Sequence, residues 1–115
     1  MLKIRHLIAI ALLSFSSTSI AESYSDPSVI TALTFGTDGV RVRLESMKAA
    51  ESCETQNYYF LHTPDESHDK LISVLLSAKV AQQKVSLQLA GCHQLGANNY
   101  PKISHIYFCD TSFCS

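Results

Sequence analysis

The chain has 115 residues, with nine Lys and Arg, ten Asp and Glu, four Cys and no Trp. That length holds one domain with a modest core. A net charge of −1 argues against nucleic acid as a partner, because such binding needs a basic face to displace counterions.

Lys3 and Arg5 make a positive start, and Leu7–Phe15 (LIAIALLSF) is an apolar run too short to span a bilayer. SSTSIA follows, with Ser19 and Ala21 at the −3 and −1 positions of a cleavage site. This is the pattern of a secretory signal peptide over residues 1–21, and no positive stop-transfer cluster follows it to argue for an uncleaved anchor. The expected mature chain is Glu22–Ser115, a single domain with seven basic and ten acidic residues, hence a net charge of −3. It has no second apolar run of membrane-spanning length.

Glu22–Pro27 reads as a loose lead-in. Ser28–Phe35 (SVITALTF) is rich in β-branched residues and predicts a strand. GTDG follows, and Asp38-Gly39 signals a hairpin turn that uses positive φ. In Val40–Met47 (VRVRLESM), Val40, Val42 and Leu44 alternate with Arg41, Arg43 and Glu45, a half-buried strand with a solvated face. Lys48–Gln56 is a connection. Asn57–His62 (NYYFLH) is a short strand, apolar on both faces, so either Tyr58 and Phe60 or Tyr59 and Leu61 point inward.

TPDE, residues 63–66, reads as a capping box with Thr63 as the cap, Pro64 at the first helical position and Glu66 three residues on. Leu71, Val74, Leu75 and Ala78 make one helix face, widened by Ile72, Leu76 and Val80. The helix is expected to end near Gln82-Gln83. Val85, Leu87 and Leu89 alternate with polar or small residues as a strand that stops at Gly91-Cys92. His93–Pro101 (HQLGANNYP) reads as a loop. Ile103–Cys109 is the last strand, and DTSFCS is a tail.

Five short strands, with a helix between the third and fourth, match the layout of an OB-fold, a five-stranded Greek-key barrel with the helix at one end. The alternative is an open α+β sheet with the helix packed across it. All four cysteines, Cys53, Cys92, Cys109 and Cys114, lie in the mature part, and an even count in a small exported domain reads as two disulfides. Their spacings of 38, 16 and 4 residues lack the paired knuckles of a zinc site. Four cysteines allow three pairings. The barrel selects one of them, because its third and fifth strands run side by side in parallel. That brings Cys53 to Cys92 and leaves Cys109 for Cys114.

His62, His68, His93 and His105 form no metal-ligating spacing. His93 beside Cys92 looks like a thiol–imidazole pair, but an oxidised cysteine is no nucleophile. No nucleophile elbow, phosphate loop or paired-carboxylate motif is present. The chain therefore reads as non-catalytic, with no cofactor and no metal. The stronger signal is a surface on the second and third strands. Arg41 and Arg43 project from the outer face, and Asn57, Tyr58 and Tyr59 begin the next strand. Arginine forks grip carboxylates, and tyrosine rings stack on sugars, so this set fits an acidic glycan.

With its leader, its size and the segments ISVLLSAKVAQQKVSLQLAGC and YPKISHIYFC, the chain resembles the exported OB-fold binding subunits of bacterial AB5 toxins, above all the subtilase cytotoxin and pertussis-like group. The likeness is one of pattern over residues 28–110. It implies a homo-oligomeric ring of five, a glycan or protein receptor bound on the outer barrel, and a catalytic subunit as partner. It places no sugar-contacting residue on a position of this chain. The competing expectation is a monomeric periplasmic or secreted module that binds or inhibits another protein.

Overall fold

A computed structural model describes residues 22–48 and 51–110, together with Cys114. The expected signal peptide, residues 1–21, lies outside the described residues. The elements are β1 (Glu22–Tyr24), β2 (Ile30–Phe35), β3 (Gly39–Leu44), β4 (Tyr59–His62), α1 (Asp69–Val80), β5 (Val85–Leu95) and β6 (Asn98–Phe108). The protein is mainly β with one α-helix. Its strands form a six-stranded mixed sheet in the order β1-β5-β6-β4-β3-β2. β4 and β6 run parallel; the other neighbours are antiparallel. This is an open sheet with one helix, not the closed five-stranded barrel.

The sixth strand comes from the segment expected to be a loose lead-in. Glu22–Tyr24 pairs with Gln88–Ala90 of β5. Small polar side chains make this docking affordable for the backbone. The hydroxyl of buried Ser25 accepts from the Leu87 N–H at 2.8 Å, and the Ser25 carbonyl accepts from the Ser86 hydroxyl at 2.9 Å. Ser28 bridges Val85 in both directions, at 3.0 and 2.9 Å, and its hydroxyl accepts from the Ser46 N–H. Buried polar groups need such partners.

The expected alternation of β3 holds. Val40, Val42 and Leu44 are buried in one cluster with Ile30, Tyr59, Leu61, Leu75, Ala78, Val85, Leu87, Leu89 and Ile103. This also settles β4: Tyr59 and Leu61 enter the core, and Phe60 points to the other face. The β2–β3 hairpin forms as expected, with its tip one residue earlier. Phe35 pairs with Val40, so Thr37 and Asp38 occupy the tip and Asp38 has no positive φ. Gly39 carries the positive φ, +156°, and is needed for room as well. A Cβ there would lie 2.0 Å from the Leu61 carbonyl oxygen and 2.9 Å from the Phe60 ring.

The helix starts later than the TPDE box predicts. Asp65, not Thr63, is the cap, accepting from the Ser67 N–H at 2.9 Å over a 3-10 turn at Glu66–His68. Aspartate caps at least as well as threonine, and its position admits the extra turn. Leu75 and Ala78 are fully buried, Leu71 and Ile72 pack at the margin, and α1 lies against β2. Leu76 and Val80 are exposed, so the covered face is narrower than their spacing suggested.

The largest difference is at His93–Pro101, a hairpin and not a loop. Gly96, with φ +64°, turns the chain together with Ala97, and Leu95 pairs with Asn98. A glycine at the first central position is what a tight two-residue hairpin asks for. Pro101 is tolerated in β6 because it sits next to a bulge. Ala90 and Gly91 together oppose Lys102, between the pairs Leu89–Ile103 and Cys92–Pro101. Strand prolines occur at such irregularities.

Both disulfides have the barrel-derived pairing. Cys53–Cys92 ties the long β3–β4 connection to β5, and Cys109–Cys114 closes the C-terminus onto the end of β6. Two such bonds belong in an oxidising compartment. Among the described residues no helix is long and apolar enough to cross a membrane.

Candidate functional site

The outer face of β3, β4 and β6 gathers the residues with the most chemistry. The register puts Arg41 opposite Phe60, and Phe60 beside Lys102 on the parallel strand. The unforeseen hairpin extends β5 and β6, and sets His93 opposite Tyr100. Three rings then meet. His93 stacks on Phe60 at 4.7 Å between centroids and on His62 at 4.5 Å. Phe60 is buried although it lies outside the core cluster, because His93 covers it and the bare Gly39 packs against its edge.

Arg41 lies over the ring of Tyr100 with its guanidinium carbon 5.5 Å from the centroid. That is within cation–π range and leaves the fork free to bond outward. Beside it a cleft of about 240 Å³ is lined by Thr34, Asp38, Gly39, Arg41, Phe60 and Leu95. A second cleft, of about 280 Å³, lies across His62 and is lined by His62, Pro64, His68, Leu71, Lys102 and Ser104. Arg41, Arg43 and Lys102 make no ion pair among the described residues.

The Asp38 carbonyl anchors this face. It accepts from the Thr63 N–H at 3.2 Å and from His62 Nδ1 at 3.0 Å. A carbonyl only accepts, so His62 carries its proton on Nδ1 and its Nε2 is left open. His93 is held below the ordinary histidine range. Burial is the main cause, followed by repulsion from His62 and Lys102, with Asp38 opposing. At neutral pH the stack therefore contains a neutral His93.

The five residues expected to bind ligand separate. Arg41 is in the site. Arg43 is exposed two residues further along β3, on the same face. Asn57 and Tyr58 precede β4, outside either cleft. Tyr59 points the other way. It is fully buried and its hydroxyl bonds the Lys48 carbonyl at 2.9 Å, with burial pushing the phenol up from its usual range. Its ring is core and cannot stack on a ligand. The residues missed are Phe60, His62, His93, Tyr100 and Lys102. Their signal was Leu95-Gly96-Ala97-Asn98 read as a two-residue turn, which would have put His93 and Tyr100 on paired strands.

Among the described residues no group of three or more His, Cys, Asp or Glu side chains is arranged to hold a metal ion. No protein-family model matches the chain, and no curated protein is significantly similar to it.

Proposed function

We propose that the protein is an exported, non-catalytic binding module that holds an acidic glycan on the outer face of β3, β4 and β6. The observation that carries this reading is Arg41. It is fixed over Tyr100, has no carboxylate partner among the described residues, and opens onto a cleft walled by Phe60 and Leu95. A carboxylate on Arg41 with a sugar ring against the aromatic wall satisfies both halves of that surface.

The finer fold reading is an OB-like arrangement of the open sheet, its two edges drawn together by the first segment. What supports it is that the two edge strands of the sheet, β1 and β2, are consecutive in sequence. Ser28 between them still bridges Val85 of β5, while the Val29 carbonyl already accepts from the Glu45 N–H just past β3. One bent strand thus serves both edges. OB-type barrels present ligands on the corresponding strands.

Calorimetry with 3′-sialyllactose, with lactose as the neutral control, tests the binding claim. Arg41→Ala should weaken sialyllactose binding by about tenfold or more, since a hydrogen bond to a charged group is worth about 1.5–3 kcal/mol. Arg43→Ala should weaken it less, and neither should unfold the protein. Unchanged affinity in both variants would remove these arginines from the site. Light scattering on Glu22–Ser115 reads the ring of five that the toxin-subunit resemblance implies; a monomer at all concentrations removes that assembly and leaves the single-chain module.

A further inference from the structure

The contact between His62 and His93 is unusual for a surface of uncompensated cations. Two imidazoles stack at 4.5 Å, with Phe60 4.7 Å behind His93. They come from different strands, β4 and β5, so no local helix or turn forces them together. The titratable and charged groups facing them come from several elements, and His68, paired with Asp65 at 3.1 Å, lines the cleft across His62. Lys102 of β6 and the second histidine repel a proton on His93, Asp38 of the hairpin tip attracts one, and Arg41 of β3 adds positive charge across Phe60. His62 has one nitrogen committed to the Asp38 carbonyl and the other open.

Two neutral rings can share this space. Two imidazolium ions cannot do so without cost, because like charges this close destabilise each other. A bound anion changes that balance, since its charge offsets the protons.

Resting on the glycan-face reading above, we propose that the His62–His93 stack makes ligand binding proton-linked: the face is weakly cationic at neutral pH, and it gains charge and affinity for an acidic ligand as the solution becomes acidic. The linkage is reciprocal. An acidic ligand that binds better to the protonated face must raise the pKa of the histidines it covers. Without ligand the sign is opposite for stability. His93 titrates lower in the folded chain than in the unfolded one, so its contribution is present above the ordinary histidine range and is lost as pH falls through its folded pKa.

The test has two arms on the mature, oxidised protein. The first follows the imidazole Cε1 protons by NMR without ligand. His93 should titrate below the ordinary histidine range, and His62→Asn should raise it. A His93 that titrates in the ordinary histidine range, or ignores His62→Asn, overturns the proposal whatever the ligand proves to be. The second arm measures 3′-sialyllactose affinity from pH 7.5 to pH 5. It should rise by about three- to tenfold, tenfold being one unit of pKa shift on one histidine. His93→Asn should flatten the profile even if it changes affinity at neutral pH. A flat wild-type profile overturns the linkage alone. Absence of binding at every pH, with the NMR arm as expected, removes the acidic-glycan reading and the regulation built on it.

Discussion

Two aromatic–histidine clusters lie on opposite halves of the sheet, and they do different things. On β1, β5 and β6, Tyr24 meets Tyr107 at 6.1 Å, and Tyr107 lies 6.2 Å from His105. This cluster is fastened by hydrogen bonds. The Tyr107 hydroxyl donates to the side-chain oxygen of buried Gln88 at 2.9 Å, and the Ser104 hydroxyl donates to the Gln88 carbonyl. On β3, β4, β5 and β6, Phe60, His62, His93 and Tyr100 are held by stacking, by Arg41 and by the one hydrogen bond from His62 to the Asp38 carbonyl. The first cluster spends its polar atoms on its own strands and clasps the N-terminal strand to the sheet. The second keeps cations and a cleft directed outward. Residue type alone does not separate a fastener from a face with open polar groups; the hydrogen-bond partners do.

Each region is flanked by one disulfide. Cys92 immediately precedes His93, and Cys109 follows Phe108 at the end of the other cluster. Removing Cys53–Cys92 by Cys53→Ala with Cys92→Ala should have the largest effect. Its loop of 39 residues corresponds to about 4 kcal/mol of chain entropy. Urea denaturation should show that loss, and the β3–β4 connection should become protease-sensitive. Gly39→Ala should come next, at about 3 kcal/mol, because the added carbon meets main chain that has no rotamer to change. Removing Cys109–Cys114, with a separation of only 5, should cost about 2 kcal/mol by the same entropy argument. Tyr107→Phe should cost about 1 kcal/mol, the worth of one hydrogen bond, and leave sialyllactose binding unchanged. A Tyr107→Phe variant that loses binding would erase the distinction between the two clusters.

The readability of the sequence divides along the same line. The core alternation of β3, the helical spacing around Leu75 and Ala78, and the helix lying between β4 and β5 were legible, because burial imposes the periods of two and 3.6. The disulfide pairing was legible once β4 and β6 were placed side by side. The proposed binding face was only half legible. Arg41 stood out against the valines of its strand. His93 and Tyr100 did not, because glycine, asparagine and proline in residues 93–101 have the composition of a loop, while Gly96 in fact makes a tight turn and Pro101 hides at a bulge. Tyr59 misled for a related reason: a strand apolar on both faces carries no period, so only the packing of its neighbours decides which ring goes inside. β1 was invisible because it is only three residues long and Ser23 has little strand propensity. Partners remote in sequence, Leu87 and Ser86, hold it.

Titrating the 15N-labelled mature protein with 3′-sialyllactose at pH 6 and mapping the amide shifts tests the central claim most directly. Binding on the β3–β4–β6 face predicts shifts at Arg41, Phe60, His62, His93, Tyr100 and Lys102, with Tyr24, His105 and Tyr107 unmoved. Shifts confined to Tyr24, His105 and Tyr107, or no shifts at saturating ligand, would contradict it.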